Sequence, residues 1–122
     1  MANTFRMTNE ANVSTTLEEL YEVQSSTTTV VLGIMLSNIS SGAIKASVQI
    51  VSTSAVGSGV SNSGASNANE SCYLIKDAPI SSASSLEIMA GNKVVLQAGD
   101  KIYAKSDTAS ALDIIISYME IT

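Results

Sequence analysis

Histidine and tryptophan are absent from the 122 residues, cysteine and proline occur once each, and phenylalanine occurs once. Without an imidazole, Ser-His-Asp and Cys-His catalysis are excluded, and the commonest metal ligand and pH switch is missing. A single cysteine also excludes zinc sites built from Cys and His clusters. Cys72 has no partner for an internal disulfide, which suits a reducing cytoplasm, and it reads as a small buried hydrophobe at the start of a strand. Charge is sparse too, at 14% of residues, with six Lys and Arg against eleven Asp and Glu and a net charge of −5. No basic cluster relieves that balance, so a phosphate backbone would be repelled and the expected partners include no nucleic acid. The longest apolar run, residues 30–36, falls far short of the roughly 20 residues a bilayer-crossing helix needs. No membrane association is expected. Met1-Ala2-Asn3-Thr4 has neither a basic n-region nor an apolar h-region, so export by a signal peptide is not expected either.

Paired carboxylates are the remaining general acid/base option, and the near neighbours are Glu18 with Glu19 and Asp100 with Asp107. Adjacent residues on a strand point to opposite faces, so Glu18 and Glu19 would diverge in extended structure. Asp100, Asp107 and Asp113 share one region, but their spacing matches no EF-hand loop, and Asp100 reads as a turn residue after Gly99. Gly57-Ser58-Gly59 precedes no Gly-Lys-Ser/Thr and opens no amphipathic helix, so it is no phosphate-binding loop. Phe5, Tyr21, Tyr73, Tyr103 and Tyr118 are too few to supply a sugar-stacking platform, and each tyrosine reads as a ring at a sheet edge or core margin. The residues therefore define no catalytic site, no cofactor site and no metal site.

What is abundant is Ser, Thr, Asn and Gly together with β-branched and other apolar residues, a composition that favours strands and turns. The length fits one domain, residues 1–122, with enough chain to fold without a metal or disulfide. Residues 17–23 are ambiguous: Thr16 and Glu19 have capping-box spacing, yet Tyr21 and Val23 alternate around Glu22, and extended structure is the favoured reading. Residues 27–36 are β-branched and apolar on both parities, as in a strand covered on both faces, which places them in the middle of a sheet or under a neighbouring subunit. In residues 43–51, Ile44, Ala46, Val48 and Ile50 alternate with Lys45, Ser47 and Gln49 as a half-buried strand. Residues 52–71 are Ser, Gly, Asn and Ala almost throughout and read as a long surface loop. Strands then follow at 72–76, 85–88, 93–97, 101–105 and 111–121, separated by turns at Asp77-Ala78-Pro79, Ala90-Gly91-Asn92 and Ala98-Gly99-Asp100. The last is also apolar on both sides, with Leu112, Ile114, Ile116 and Tyr118 on one face and Ile115, Met119 and Ile121 on the other. About seven to eight antiparallel strands of this kind predict an all-β fold, a small two-sheet β-sandwich or jelly roll. Two doubly apolar strands in so small a domain point to an oligomeric or docking surface.

Several phrases resemble a family of small virion structural proteins of tailed phages, including phages of marine and freshwater bacteria. They are Tyr73-Leu74-Ile75-Lys76-Asp77-Ala78-Pro79-Ile80, Ser84-Ser85-Leu86-Glu87, Val94-Val95-Leu96-Gln97-Ala98-Gly99-Asp100-Lys101-Ile102 and Leu112-Asp113-Ile114-Ile115-Ile116-Ser117-Tyr118-Met119-Glu120-Ile121. Met1-Ala2-Asn3-Thr4-Phe5 and residues 21–29 fit the same pattern. The resemblance implies a place in the particle, assembled in the host cytoplasm, as a head decoration (cement) protein or a neck or tail component. The expected mechanism is assembly without enzymatic activity. The chain would associate with itself, as a trimer or higher ring, and with the major capsid or other virion proteins. A flexible N-terminal arm, about residues 1–13, and the loop 52–71 are the expected inter-subunit contacts, dispensable for folding. The alternative is a receptor- or carbohydrate-binding module of the tail, which an exposed aromatic cluster would favour and a broad, mildly apolar face would oppose.

Overall fold

In the computed structural model, residues 2–53 and 70–122 are described, and they form strands and connections with no helix. The strands are β1 (Asn3–Glu10), β2 (Glu18–Glu22), β3 (Thr28–Asn38), β4 (Ile44–Ser52), β5 (Glu70–Ile80), β6 (Ser85–Glu87), β7 (Val94–Leu96), β8 (Lys101–Ser106) and β9 (Leu112–Ile121). Two antiparallel sheets result. Sheet A runs β1-β9-β3-β6, with β7 also on β3, and sheet B runs β2-β8-β4-β5. Both β6 and β7 pair with β3, at Met35–Ser37 and Thr29–Val31 respectively, so they are two halves of one interrupted edge. Counted so, the first strand pairs with the last, the second with the penultimate, the third with the sixth and the fourth with the fifth. A long hairpin rolled up on itself in this way is a jelly roll.

The core lies between the sheets. Sheet A supplies large side chains, with Ile34, Leu36, Leu112, Ile114 and Ile116 buried, whereas sheet B supplies several small ones, Ala46 and Ala104 beside Val48 and Ile102. Large residues facing small ones allow interdigitation at crystal-like density. The alternation of residues 43–51 is realised, since Ile44, Ala46 and Val48 all point into this core. Register shifts beside Val48 also bury Ser47, whose hydroxyl accepts a hydrogen bond from the Asp77 amide at 2.9 Å.

Most connections turn through a left-handed residue: Asn12, Ser26, Ala83, Ala90 with Gly91, Gly99 and Ser110. At Gly99 (φ 92°) a Cβ would also lie 2.6 Å from Thr53 Oγ1, so glycine is required on two counts. The β3–β4 connection has no such residue and is organised by a side chain instead. The buried Asn38 amide donates to the carbonyls of Gly42 (2.8 Å), Ile80 (3.0 Å) and Ser81 (3.1 Å). Its Oδ1 accepts from the Ser40 amide (2.9 Å) and hydroxyl (2.7 Å).

Four expectations require correction. Residues 3–10 are not an arm: they form β1, paired with β9 from Asn3↔Ile121 to Glu10↔Ile114, because β9 otherwise has an open side. Deleting them would strip that side, so they are not dispensable to the sheet. Asp77-Ala78-Pro79 does not end a strand. β5 continues to Ile80, absorbing Asp77 (φ 51°) as an irregularity, and Pro79 is tolerated because β5 is an edge with one unpaired side. Cys72 is exposed, since it lies on an edge strand whose first five residues are all exposed. The turn at Gly99 does join two strands, but β7 and β8 belong to different sheets, so it is a corner of the sandwich. Of the expected 52–71 loop, Ser52 belongs to β4 and Glu70 and Ser71 to β5, and residues 54–69, Gly57-Ser58-Gly59 among them, lie outside the described residues.

Asn38→Asp replaces two donors with oxygen opposite three carbonyls. It should cost about 2–4 kcal/mol, as an unsatisfied and repulsive buried polar group does. Urea unfolding at neutral pH checks this, with Ser37→Ala as the neighbouring control.

Candidate assembly surface

The strands that read as apolar on both sides, β3 and β9, are adjacent at the centre of sheet A. Directly opposed residues of an antiparallel pair point to the same face, so the register defines what the outer face displays. One row runs Phe5↔Met119↔Val30↔Val95 across β1, β9, β3 and β7. A second runs Asn9↔Ile115↔Met35↔Glu87 across β1, β9, β3 and β6. Between them Met7↔Ser117↔Gly33 forms a row of small residues with one long side chain at its edge. Of nine large apolar residues left exposed among the described residues, five (Phe5, Met7, Met35, Val95 and Ile115) lie on this face. A concentration of this kind on one surface is the mark of an interaction site.

The outer face of sheet B differs in chemistry. Lys45, Lys101 and Lys105 lie there with Glu19 and Glu22, and Tyr73 and Tyr103 flank Gln49 in one row. Lys101 Nζ approaches Glu19 Oε1 at 3.7 Å, and Lys76 Nζ lies 5.4 Å from the centre of the Tyr73 ring.

The β1 margin of sheet A is held from inside by a short polar chain. Arg6 Nε donates to Glu120 Oε1 at 2.7 Å, and the Tyr21 hydroxyl donates to Glu120 Oε2 at 2.7 Å and lies 2.7 Å from Thr29 Oγ1. The Tyr21 ring packs on Tyr118 with centroids 4.6 Å apart. Burial pushes the Tyr21 phenol well above its ordinary range and raises Tyr118 as well. Glu120 is held below the usual carboxylate range, first by the Tyr21 hydroxyl and then by Arg6. Asp107 is also lowered, chiefly by the Lys45 amide, which donates to it at 3.0 Å.

The carboxylates singled out in the sequence do not converge. Glu18 accepts from the Ser14 amide, while Glu19 faces Lys101 on the other side of β2. Asp100 accepts from the Thr53 and Gln97 amides at the sheet corner, Asp107 serves Lys45, and Asp113 accepts from the Asn12 amide. Each carboxylate thus serves a separate partner, and no group of acidic or cysteine residues placed to hold a metal occurs among the described residues. The Arg6–Glu120–Tyr21–Thr29 chain was not foreseen, because its members come from four strands and share no local motif.

No family model matches the chain, and no curated protein matches it. Solved structures share its fold. A chain from the work on Bacillus endospore appendages, described as a novel family of disulfide-linked pili, is 15% identical with a TM-score of 0.51, the alignment covering 99% of this chain and 87% of that one. A chain of the T13 IBDV viral particle is 6% identical with a TM-score of 0.54, covering 97% of this chain but only 30% of the viral one. At such identities the likeness is one of fold.

The lowered Glu120 acidity carries a sign. The unfolded chain binds that proton at the ordinary pH of about 4.3, so the stabilisation is complete above that value and is lost as pH falls through the lower folded value. Glu120→Gln should cost about 1 kcal/mol at pH 7, a modest figure because Arg6 is largely exposed and screened. The gap between variant and wild type should close on acidification, as urea midpoints at pH 7 and pH 3 will show.

Proposed function

We propose that the chain is a self-associating structural subunit of a virion, of the tailed-phage kind its sequence resembles, acting as a decoration or cement protein across joints between larger subunits. The observation that carries this reading is the outer face of sheet A, where one in-register row, Phe5–Met119–Val30–Val95, is apolar across four strands and a second is apolar at its centre, Ile115–Met35, between Asn9 and Glu87. A monomer gains nothing from Phe5, Met7, Met35, Val95 and Ile115 in water, whereas a subunit of a shell buries such residues against its neighbours. The shared fold with chains from a pilus and a viral particle supports a structural role in an extended assembly. A place in the virion, with major capsid or other particle proteins as partners, follows from this reading. A neck or tail position rests on the same surface and differs only in copy number.

A carbohydrate-binding role has one observation in its favour, the Tyr73–Gln49–Tyr103 row on sheet B. Two rings separated by a glutamine on an open sheet face make a poorer platform than a convergent aromatic cluster. The wider apolar face of sheet A favours assembly.

Light scattering of the purified chain should give a multiple of 12.6 kDa, distinguishing a dimer from the trimer expected of a cement protein. Met35→Lys with Ile115→Lys should reduce particle binding at least tenfold while changing folding stability by no more than about 1 kcal/mol, as exposed substitutions do. Unchanged co-sedimentation of this variant with particles would remove the outer face of sheet A from the mechanism.

A further inference from the structure

Every open sheet edge offers unpaired backbone groups to another chain, and soluble proteins blunt such edges. Three of the four margins here are blunted. The β6/β7 edge consists of two three-residue strands. β2 has five residues, a register shift at Leu20 and three glutamates. β5 carries two register shifts, a left-handed Asp77 and Pro79. β1 has no break of this kind: its eight residues pair with β9 without a shift, contain neither proline nor glycine, and carry a single acidic residue, Glu10, at the last position. Its one basic residue, Arg6, is drawn back onto Glu120.

The direction of the β1 backbone follows from its neighbours. Ala2 and Thr122 exchange both hydrogen bonds, at 3.1 and 3.0 Å. Antiparallel pairs alternate, so Thr4, Arg6, Thr8 and Glu10 turn their N–H and C=O towards β9. Asn3, Phe5, Met7 and Asn9 turn theirs to the free edge, where no described group bonds them. The same four residues place their side chains on the outer face, with Phe5 72% and Met7 59% exposed. β1 contributes no residue to the buried core. What the strand offers is an edge.

The geometry points to antiparallel pairing of β1 with β1 of a second copy, about a two-fold axis normal to sheet A, a step that rests on the self-association proposed above. The partner strand is β1 because the other margins of the same chain are blunted. An axis normal to the sheet keeps outer face with outer face, and the outward backbone groups require Asn3, Phe5, Met7 and Asn9 to oppose one another. Placing Phe5 opposite Met7 of the second copy and Asn3 opposite Asn9 satisfies all four residues on each strand. Arg6 then faces its own symmetry mate, each guanidinium already paired with its own Glu120, so the contact carries no net charge. Across the axis the Phe5 row of one sheet meets the Met7 row of the other, so the two outer faces join into one surface. Interfaces of this kind are isologous and close on themselves as pairs.

The alternation supplies a selective test on the full chain. Met7→Pro removes one outward N–H and no bond to β9, and Met7→Lys leaves the backbone intact but places a gatekeeper charge at the edge. Sedimentation equilibrium should show each variant at least tenfold weaker in self-association than the wild type. Amide exchange of wild type should show Asn3, Phe5, Met7 and Asn9 protected at high concentration and unprotected on dilution. Folded Met7→Lys that associates like wild type, with those four amides unprotected, would overturn the β1 contact while leaving self-association standing. A wild-type chain that stays monomeric at millimolar concentration would overturn both. Val95→Lys, on the same face but at the far edge, should leave the β1 contact intact; loss of association there alone would assign the contact to the sheet face.

Discussion

Everything in sheet A depends on the ladder between β3 and β9. These strands pair from Thr28↔Ile121 to Asn38↔Leu112, and their inner faces supply Ile34, Leu36, Ile114 and Ile116 to the core. Each is also the platform for an edge, β9 for β1 and β3 for β6 and β7. The price of so strong a central pair is a second apolar face, since β-branched and aliphatic residues on both parities cannot all point inward. That unused face is what makes the molecule a candidate subunit.

The sequence disclosed this pair well. The runs at residues 27–36 and 111–121 read as apolar on both sides and prove to be neighbours, so the expectation of a docking surface falls on one continuous face. The alternating strand at 43–51 and the turns at Ala90-Gly91-Asn92 and Gly99 were also legible, because side-chain period and left-handed backbone are local properties. The all-β sandwich follows from the same signals.

What stayed hidden depended on contacts far apart in the chain. Asn3–Glu10 looks like a polar arm because it adds nothing to the core, and only the open side of β9 makes it a strand. Pro79 looks like a stop until β5 is known to be an edge. Cys72 has the composition of a core residue but sits on the exposed first half of the edge strand β5. The Asn38 hub joins carbonyls from the Gly42, Ile80 and Ser81 regions, and Glu120 gathers partners from β1 and β2. No spacing within a window announces either.

The rolled-hairpin connectivity also governs the order in which the molecule can be made. β9 is synthesised after the other described strands, yet it belongs between β1 and β3, so those two stand apart until β9 has been made. Of the long ladders only β4 with β5 joins strands that are consecutive among the described residues. Closing contacts between strands so far apart in the chain is slow. During that interval the vacant place beside β3 fits the β9 of a neighbouring nascent chain as well as its own, so strand exchange between copies translated on one message competes with correct closure.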